Sequence, residues 1–399
     1  MISDPYGHVF LVIDGWFTMK SDFGDLEAKV NELASRGLSF GIHVVITATR
    51  WSEIRTWLRD LLGTKFELRL GDTMESEVGS RKAALVPTQP GRGMTSAGLH
   101  FLSGLPRLDG STGAADLGEA TRTLIDEIRT FWSGPAAPPV RLLPTTLPVA
   151  ELPAPRDGFQ VCLGYDEQRL GPVWHDFLTN PHLIVMGDNE TGKTNVLRLV
   201  LRAITQRYSP DEVKVVVGDA RRDLDAVTPA AYRAGYAITP DDLYRLAQQA
   251  TSSLNPRLPG PDVTADQLRR RDWWTGPELF VVVDDYELLG RGRTGSAVLE
   301  PLLPLLAQGA YIGIHLVIAR STSGAVRGMM DPVLRRVWEL GNPGLLLSYP
   351  KDEGRFLGEA SPRKLPPGRA QLVTRRSVRL VQTGLVPATV AASPQGAPA

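Results

Sequence analysis

A chain of 399 residues is more than one small core usually organises, and predicts two domains. Hydrophobic content of 42% and charged content of 22% are ordinary for a soluble globular protein. With 44 basic against 44 acidic residues the net charge is zero, which argues against a strongly basic nucleic-acid-binding surface, though not against a basic channel balanced elsewhere.

Residues 1–7 carry no basic start and no long apolar run, so they do not read as a signal peptide. No stretch approaches the roughly 20 apolar residues needed to cross a bilayer. The single cysteine, Cys162, allows no intrachain disulfide and fits a reducing cytosol.

The chain resembles itself. Val9-Phe10-Leu11-Val12-Ile13-Asp14-Gly15-Trp16 aligns with Leu279-Phe280-Val281-Val282-Val283-Asp284-Asp285-Tyr286. Gly41-Ile42-His43-Val44-Val45-Ile46 aligns with Gly313-Ile314-His315-Leu316-Val317-Ile318, and Pro90-Gly91-Arg92-Gly93 with Pro367-Gly368-Arg369-Ala370. Order and spacing persist, which predicts a duplicated module. Only 13 residues precede Asp14, so the first copy reads as truncated, with a sheet edge and apolar faces left uncovered.

Residues 134–156 form a proline-rich joint. Prolines favour an extended path, while Leu142, Leu143, Leu147, Val149 and Leu152 predict that it lies against a module surface.

Residues 157–386 read as a complete module of alternating elements. Strands are predicted at His182–Met186, Val213–Val217, Leu279–Val283 and His315–Ile318. Helices are predicted over 194–208, 241–254 and 296–308. Strand–helix alternation predicts an α/β fold with a mostly parallel sheet covered by helices on both faces. Residues 387–399, rich in Pro, Ala, Gln and Ser, read as a disordered tail.

Gly187-Asp188-Asn189-Glu190-Thr191-Gly192-Lys193-Thr194 has the phosphate-loop pattern G-x-x-x-x-G-K-[ST] between a predicted strand and a predicted helix. The glycines allow a tight turn, and backbone N–H groups from Asp188 to Thr194 would form an anion nest at a helix N-terminus. Residues 187–195, Asn195 included, are therefore the candidate nucleotide contacts. Lys193 would reach the β- and γ-phosphates, and the Thr194 hydroxyl would hold Mg²⁺. Phe280-Val281-Val282-Val283-Asp284-Asp285 places Asp284 at the C-terminal end of a buried strand, where it would orient the metal's water shell. ATP and Mg²⁺ are the expected cofactors.

These motifs, with Gly164-Tyr165-Asp166, Gly171-Pro172-Val173 and Gly313-Ile314-His315, resemble an FtsK/SpoIIIE-type ATPase module. Two such modules in tandem with a proline-rich joint resemble the C-terminal part of EccC-type motor ATPases of type VII (ESX) secretion. The resemblance implies tandem RecA-like P-loop modules, one truncated and one complete. It implies a cytoplasmic component associated with an inner-membrane secretion complex, working with other ATPase modules, in a hexamer once assembled. It also implies that the last module recognises the C-terminal signal of small helical-hairpin substrates. The competing readings are an FtsK-type DNA translocase fragment and a nucleotide-free scaffold.

The departures from the FtsK pattern matter for chemistry. The glutamate that activates water there is Asp285 here, and Gly15 in the first copy. An aspartate is one methylene short, and misplacing a general base forfeits much of its roughly 10²–10⁴-fold contribution. The polar sensor after the Gly-Ile-His strand is partly kept as Ala48-Thr49-Arg50 and lost in Ala319-Arg320-Ser321. Glu190 adds an acid inside the loop. The expectation is nucleotide binding with slow or no turnover, with Asp285 a poor base candidate.

Other residues divide between readings. Arg50 and Arg320 are candidate arginine fingers, or surface arginines in ordinary ion pairs. His43 and His315 are expected to bond backbone near the sheet edge. Trp273-Trp274, after three arginines, is expected to cap the core rather than form a partner surface.

Overall fold

The computed structural model describes residues 7–134, 140–290 and 298–387. The predicted tail after Val386 and part of the proline-rich joint lie outside those residues, apart from Pro387 itself. The chain divides into two compact units, Met1–Ala137 and Pro138–Ala399.

In the first unit, β1 (Val9–Ile13) and β2 (Ile42–Ile46) pair in parallel. Helices Trp16–Asp22 and Asp25–Arg36 bury Trp16 and Val30 with Ile54 and Leu58 against Leu11, Ile13, Val44 and Ile46. A separate antiparallel sheet joins β3 (Phe66–Leu68), β4 (Arg92–Thr95) and β5 (His100–Leu102).

The second unit holds β6 (Leu147–Pro148), β7 (Gln160–Asp166), β8 (Pro172–Asp176), β9 (His182–Gly187), β10 (Val213–Gly218) and β11 (Arg233–Ala237). It continues with β12 (Glu278–Val283), β13 (Ile314–Ser321), β14 (Gly344–Leu346), β15 (Arg369–Val373) and β16 (Val378–Leu385). Their order in one sheet is β11-β10-β12-β13-β9-β14-β15-β16-β7-β8, with β6 added beside β16. From β11 to β14 the strands run parallel; from β14 to β8 they are antiparallel.

The period of two sorts the strand residues onto two faces. Leu183, Val185, Phe280, Val282 and Val317 meet Val196, Leu197, Val200, Leu201 and Ile204 of helix Lys193–Arg207. Ile184, Met186, Val281, Val283 and Leu316 share the opposite core with Leu243, Leu246, Ala247 and Leu254 of helix Pro240–Leu254. That helix starts where the sequence gives it every reason to. The Thr239 side chain accepts from the Asp242 N–H, Pro240 stands at the first turn, and Asp241 and Asp242 face the positive end of the dipole.

The single helix expected over 296–308 is not formed. Residues 296–297 lie outside the described part, and beyond them stand short turns at Glu300–Leu302, Leu303–Leu306 and Gly309–Ile312. Pro301 and Pro304 each remove an N–H donor and divide the segment.

The duplication is visible bond by bond. Val9 to Ile13 pair with Ile42 to Ile46 in the register in which Leu279 to Val283 pair with Ile314 to Ile318. Val9 N–H donates to Gly41 O at 2.9 Å, and Leu279 N–H to Gly313 O at 2.8 Å. Gly41 and Gly313 are both left-handed, at φ +71° and +75°. Ser103 N–H to Gly91 O repeats as Thr383 N–H to Gly368 O, each 2.8 Å.

What differs is the coverage. The second unit inserts β9 between β13 and β14, parallel to both, and the helix that follows β9 covers one face. The described residues of the first unit include no counterpart of β9, and its two sheets stay separate. Phe10 and Val12 are accordingly each 63% exposed, and Val45 44%, while their counterparts Phe280, Val282 and Val317 are fully buried.

Part of the joint packs on the second unit, but Leu142, one of the residues expected to lie against it, is 79% exposed. Leu143 and Leu147 are buried, Arg369 Nη2 donates to Leu143 O (3.2 Å) and Pro144 O (2.8 Å), and Tyr165 donates its hydroxyl to Glu151 O.

Candidate nucleotide-binding site

The site forms at the C-terminal ends of β9, β12 and β10. Here parallel strands deliver their loops and the next helix begins. A pocket of about 460 Å³ is lined by Asn189, Glu190, Gly192, Lys193, Thr194, Arg221 and Asp285.

The loop is held tightly from below. A Cβ on Gly187 would lie 2.5 Å from Thr191 Oγ1 and 2.8 Å from Leu347 Cβ, so only glycine fits. Thr191 donates its hydroxyl to Asp188 O, and Gly368 N–H donates to Thr191 O. Gly192, at φ +109°, turns the chain into helix Lys193–Arg207. Glu190 also takes a left-handed backbone, at φ +59°, which costs a non-glycine residue about 1 kcal/mol.

Lys193 is nearly buried, and its Nζ donates to Asp188 O at 2.9 Å. That bond closes the loop with the ammonium beside the pocket. Two of the amides expected in the anion nest are already committed. Asp188 N–H donates to Ser348 O (3.0 Å) and Asn189 N–H to Asp188 Oδ1 (2.7 Å). The Asn195 side chain is committed elsewhere too. Its Nδ2 donates to Gly384 O (2.8 Å), and its Oδ1 accepts from Val386 N–H (2.9 Å), so it clamps β16.

Asp284 lies behind Thr194, almost fully buried, and the Thr194 hydroxyl hydrogen-bonds its carboxylate. Burial pushes the Asp284 carboxyl up to about 6. The Thr194 bond opposes the shift, and the Asp285 charge adds to it. A raised carboxyl beside a hydroxyl on a phosphate-loop helix suits a divalent cation, whose charge would draw off the proton. The residues thus fit a nucleotide with its metal: Lys193 and the loop for the phosphates, Thr194 and Asp284 for Mg²⁺.

Asp285 has a left-handed backbone at φ +41°, and its N–H donates to Asp284 Oδ1. Its Oδ2 lies 3.0 Å from Arg221 Nε. Sequence reasoning did not single out Arg221. It sits three residues past β10, in a loop with no recognisable pattern. The one available signal was position: a charged loop following a parallel strand next to β12 faces the ligand edge.

Arg320 is 9% exposed and lines no part of the pocket. Its guanidinium lies where a Cβ on Gly328 would fall, and its Nε donates to Ser321 O. This buried placement fits neither a finger reaching a neighbour nor a surface ion pair. His315 and His43 do not bond backbone as expected. His315 Nε2 lies 3.0 Å from the buried Glu278 Oε2, and His43 Nε2 lies 2.9 Å from His8 Nδ1. Trp273 and Trp274 are half-buried and donate to Arg257 O and Tyr311 O, with the Arg257 guanidinium 4.1 Å over the Trp274 ring. They close the bottom of the sheet.

Comparison with known proteins agrees with this geometry. The FtsK/SpoIIIE family model matches residues 3–109 and 154–226. The ESX secretion system protein EccC of Thermomonospora curvata is 49% identical over 95% of this chain, which spans 29% of that relative's length. The ESX-1 secretion system protein EccCb1 of Mycobacterium tuberculosis is 36% identical over 99% of this chain and 69% of its own length. A solved structure of Thermomonospora curvata EccC, comprising ATPases 2 and 3 in complex with a signal sequence peptide, superposes with a TM-score of 0.82. It is 47% identical and covers 97% of this chain and 70% of its own. No helix among the described residues is long and apolar enough to cross a membrane. Two tandem α/β modules and a phosphate-loop site, matched along nearly the whole chain, place this protein in the EccC family of ESX secretion ATPases.

Proposed function

We propose that the second unit binds ATP with Mg²⁺ and turns it over slowly or not at all, as part of a type VII secretion motor. The observation that carries this is the contrast within one site. Lys193, Thr194 and Asp284 form a full binding set, while the position for a water-activating base holds Asp285, one methylene short and set on a left-handed turn. Bound Mg²⁺–ATP would supply a terminal phosphate open to attack by water. Lys193 would hold the phosphates, Thr194 and Asp284 the cation, and Asp285 is one methylene shorter than the glutamate a water-activating base needs there.

Such a site serves structure and regulation. At about 100 times its Kd a nucleotide would stabilise the unit by about 2.7 kcal/mol. Recognition of a secreted substrate's signal sequence is part of the same proposal, supported by the signal-peptide complex of the 47% identical relative. So is assembly with other ATPase modules into a ring.

The test is to measure ATP affinity and phosphate release together, on the wild-type protein and Lys193→Ala. Tight binding lost in Lys193→Ala, with turnover no faster than about one per minute, is expected. Hydrolysis at several per second that depends on Lys193 would overturn the proposal.

A further inference from the structure

We propose that Arg221 reports the terminal phosphate: its guanidinium exchanges Asp285 for γ-phosphate oxygens, so that the site distinguishes ATP from ADP. This rests on the nucleotide reading above and names the residue that makes it sensitive to the third phosphate.

Three observations carry it. The first is placement. Arg221 belongs to the loop after β10, two strands away from β13 and three from β9, yet it lines one pocket with Lys193, Thr194 and Asp285. The second is how firmly its loop is built. Asp219 is buried, and its Oδ2 accepts from Leu224 N–H at 2.7 Å and from the Tyr236 hydroxyl at 2.6 Å. Leu224 is fully buried, and Arg222 turns left-handed at φ +62°. The loop is pinned at both ends, and Arg221 stands at its tip with a side chain 61% exposed.

The third is the company it keeps. The Arg221–Asp285 pair is single and partly solvated, the kind of ion pair that holds weakly. Glu190 lies on the same rim. A triphosphate entering this pocket brings more negative charge beside Asp285 and Glu190. A guanidinium moving from carboxylate to phosphate relieves that repulsion and gains a forked, charge-assisted contact. A diphosphate held by the loop and Lys193 leaves the outer rim unfilled, and Arg221 stays on Asp285.

The experiment is titration of the full chain with fluorescent ATP and ADP analogues and Mg²⁺, for wild type, Arg221→Ala, Arg221→Lys, Asp285→Asn and Lys193→Ala. Arg221→Ala is expected to weaken ATP about tenfold and leave ADP within about twofold. Arg221→Lys should restore part of the loss, since a lysine keeps the charge without the fork. Asp285→Asn, which frees Arg221 and removes a repelling charge, should tighten ATP severalfold and leave ADP unchanged. An Arg221→Ala variant that shifts both nucleotides equally, or neither, overturns the inference. Should that variant fail to fold, the Asp285→Asn result decides alone. Nucleotide binding lost in Lys193→Ala with Arg221→Ala silent removes only this role. Absence of binding by the wild type removes the nucleotide reading and this inference together.

Discussion

Gly15 and Asp285 hold the same place in two copies of one strand-end turn, and both backbones are left-handed, at φ +79° and +41°. The turn has the same task in each unit. It brings the next N–H back to the neighbouring strand: Trp16 to Thr47 O, and Tyr286 to Ala319 O, both 2.9 Å. Glycine adopts that conformation freely, and any other residue pays in strain. The glycine that looks in sequence like a lost catalytic group is thus the unstrained solution of a backbone problem.

That strain is measurable. Asp285→Gly and Asp285→Ala both delete the carboxylate and its pair with Arg221, so they differ only in what the backbone tolerates. Asp285→Ala is expected to be less stable than Asp285→Gly by about 1 kcal/mol in urea denaturation. Equal stabilities would show that the turn relaxes without cost.

Asp284 makes stability and metal binding pull in opposite directions. Burial raises its carboxyl to about 6, above the unfolded value of 3.8. A raised carboxyl contributes stability that is complete below about pH 4 and is lost as pH rises through 6. Asp284→Asn, neutral throughout, should therefore be more stable than wild type above pH 7 by about 1–3 kcal/mol, with the gap closing toward pH 4. The same variant should lose the gain in nucleotide affinity that Mg²⁺ gives, and in wild type that gain should shrink between pH 7.5 and 5.5. Denaturation at pH 8 and pH 5, with nucleotide titrations with and without EDTA, tests both halves.

Much of this was legible because the signals are local. A phosphate loop between strand and helix, an acid closing a run of valines, and the Gly-Ile-His strand repeated in each copy are fixed by sequence neighbours. The repeat aligned Phe10 with Phe280 and Val12 with Val282, which correctly paired the strands; it did not measure how differently they are covered. What escaped depends on distant partners. Arg221 meets Asp285 across 64 positions of sequence, by the count of their numbers. Asn195 looks like part of the loop, but its amide finds Gly384 and Val386 on β16. Nothing near Arg320 announces that Gly328 makes room for its guanidinium.

Two buried histidines contribute an acid sensitivity of the opposite sign. His175 and His182 are buried, and burial pushes them down to about 3 and about 4; the nearby His315 adds to the shift in each. Both stay neutral in the fold and take up protons on unfolding. Their contribution is complete above about pH 7 and is lost as pH falls from 6.5 toward 4. This runs opposite to Asp284. His175 Nε2 has no hydrogen-bond partner, so this ring can be replaced without breaking a bond at that atom. His175→Leu should lose less stability between pH 7 and 5 than wild type, by about 1–2 kcal/mol. Parallel acid profiles for the two proteins would place the titration elsewhere.

The proline-rich joint is held by a chain of contacts that begins at the phosphate loop. Asn195, two residues past Lys193, fixes Gly384 and Val386 by its amide. β16 so held pairs with Leu147 and Pro148, and a Cβ on Gly384 would lie 2.5 Å from Leu152 Cδ1. Leu147 is fully buried there, and Arg369 ties down the carbonyls of Leu143 and Pro144 upstream of it. Leu147→Ala should cost about 2–3 kcal/mol and open residues 140–152 to limited proteolysis. Asn195→Ala, which touches none of the joint's side chains, should raise cleavage at the same bonds by loosening β16. Cleavage that rises in the first variant alone would mean that the joint rests on its own apolar contacts, and that the loop and the joint are not coupled through β16.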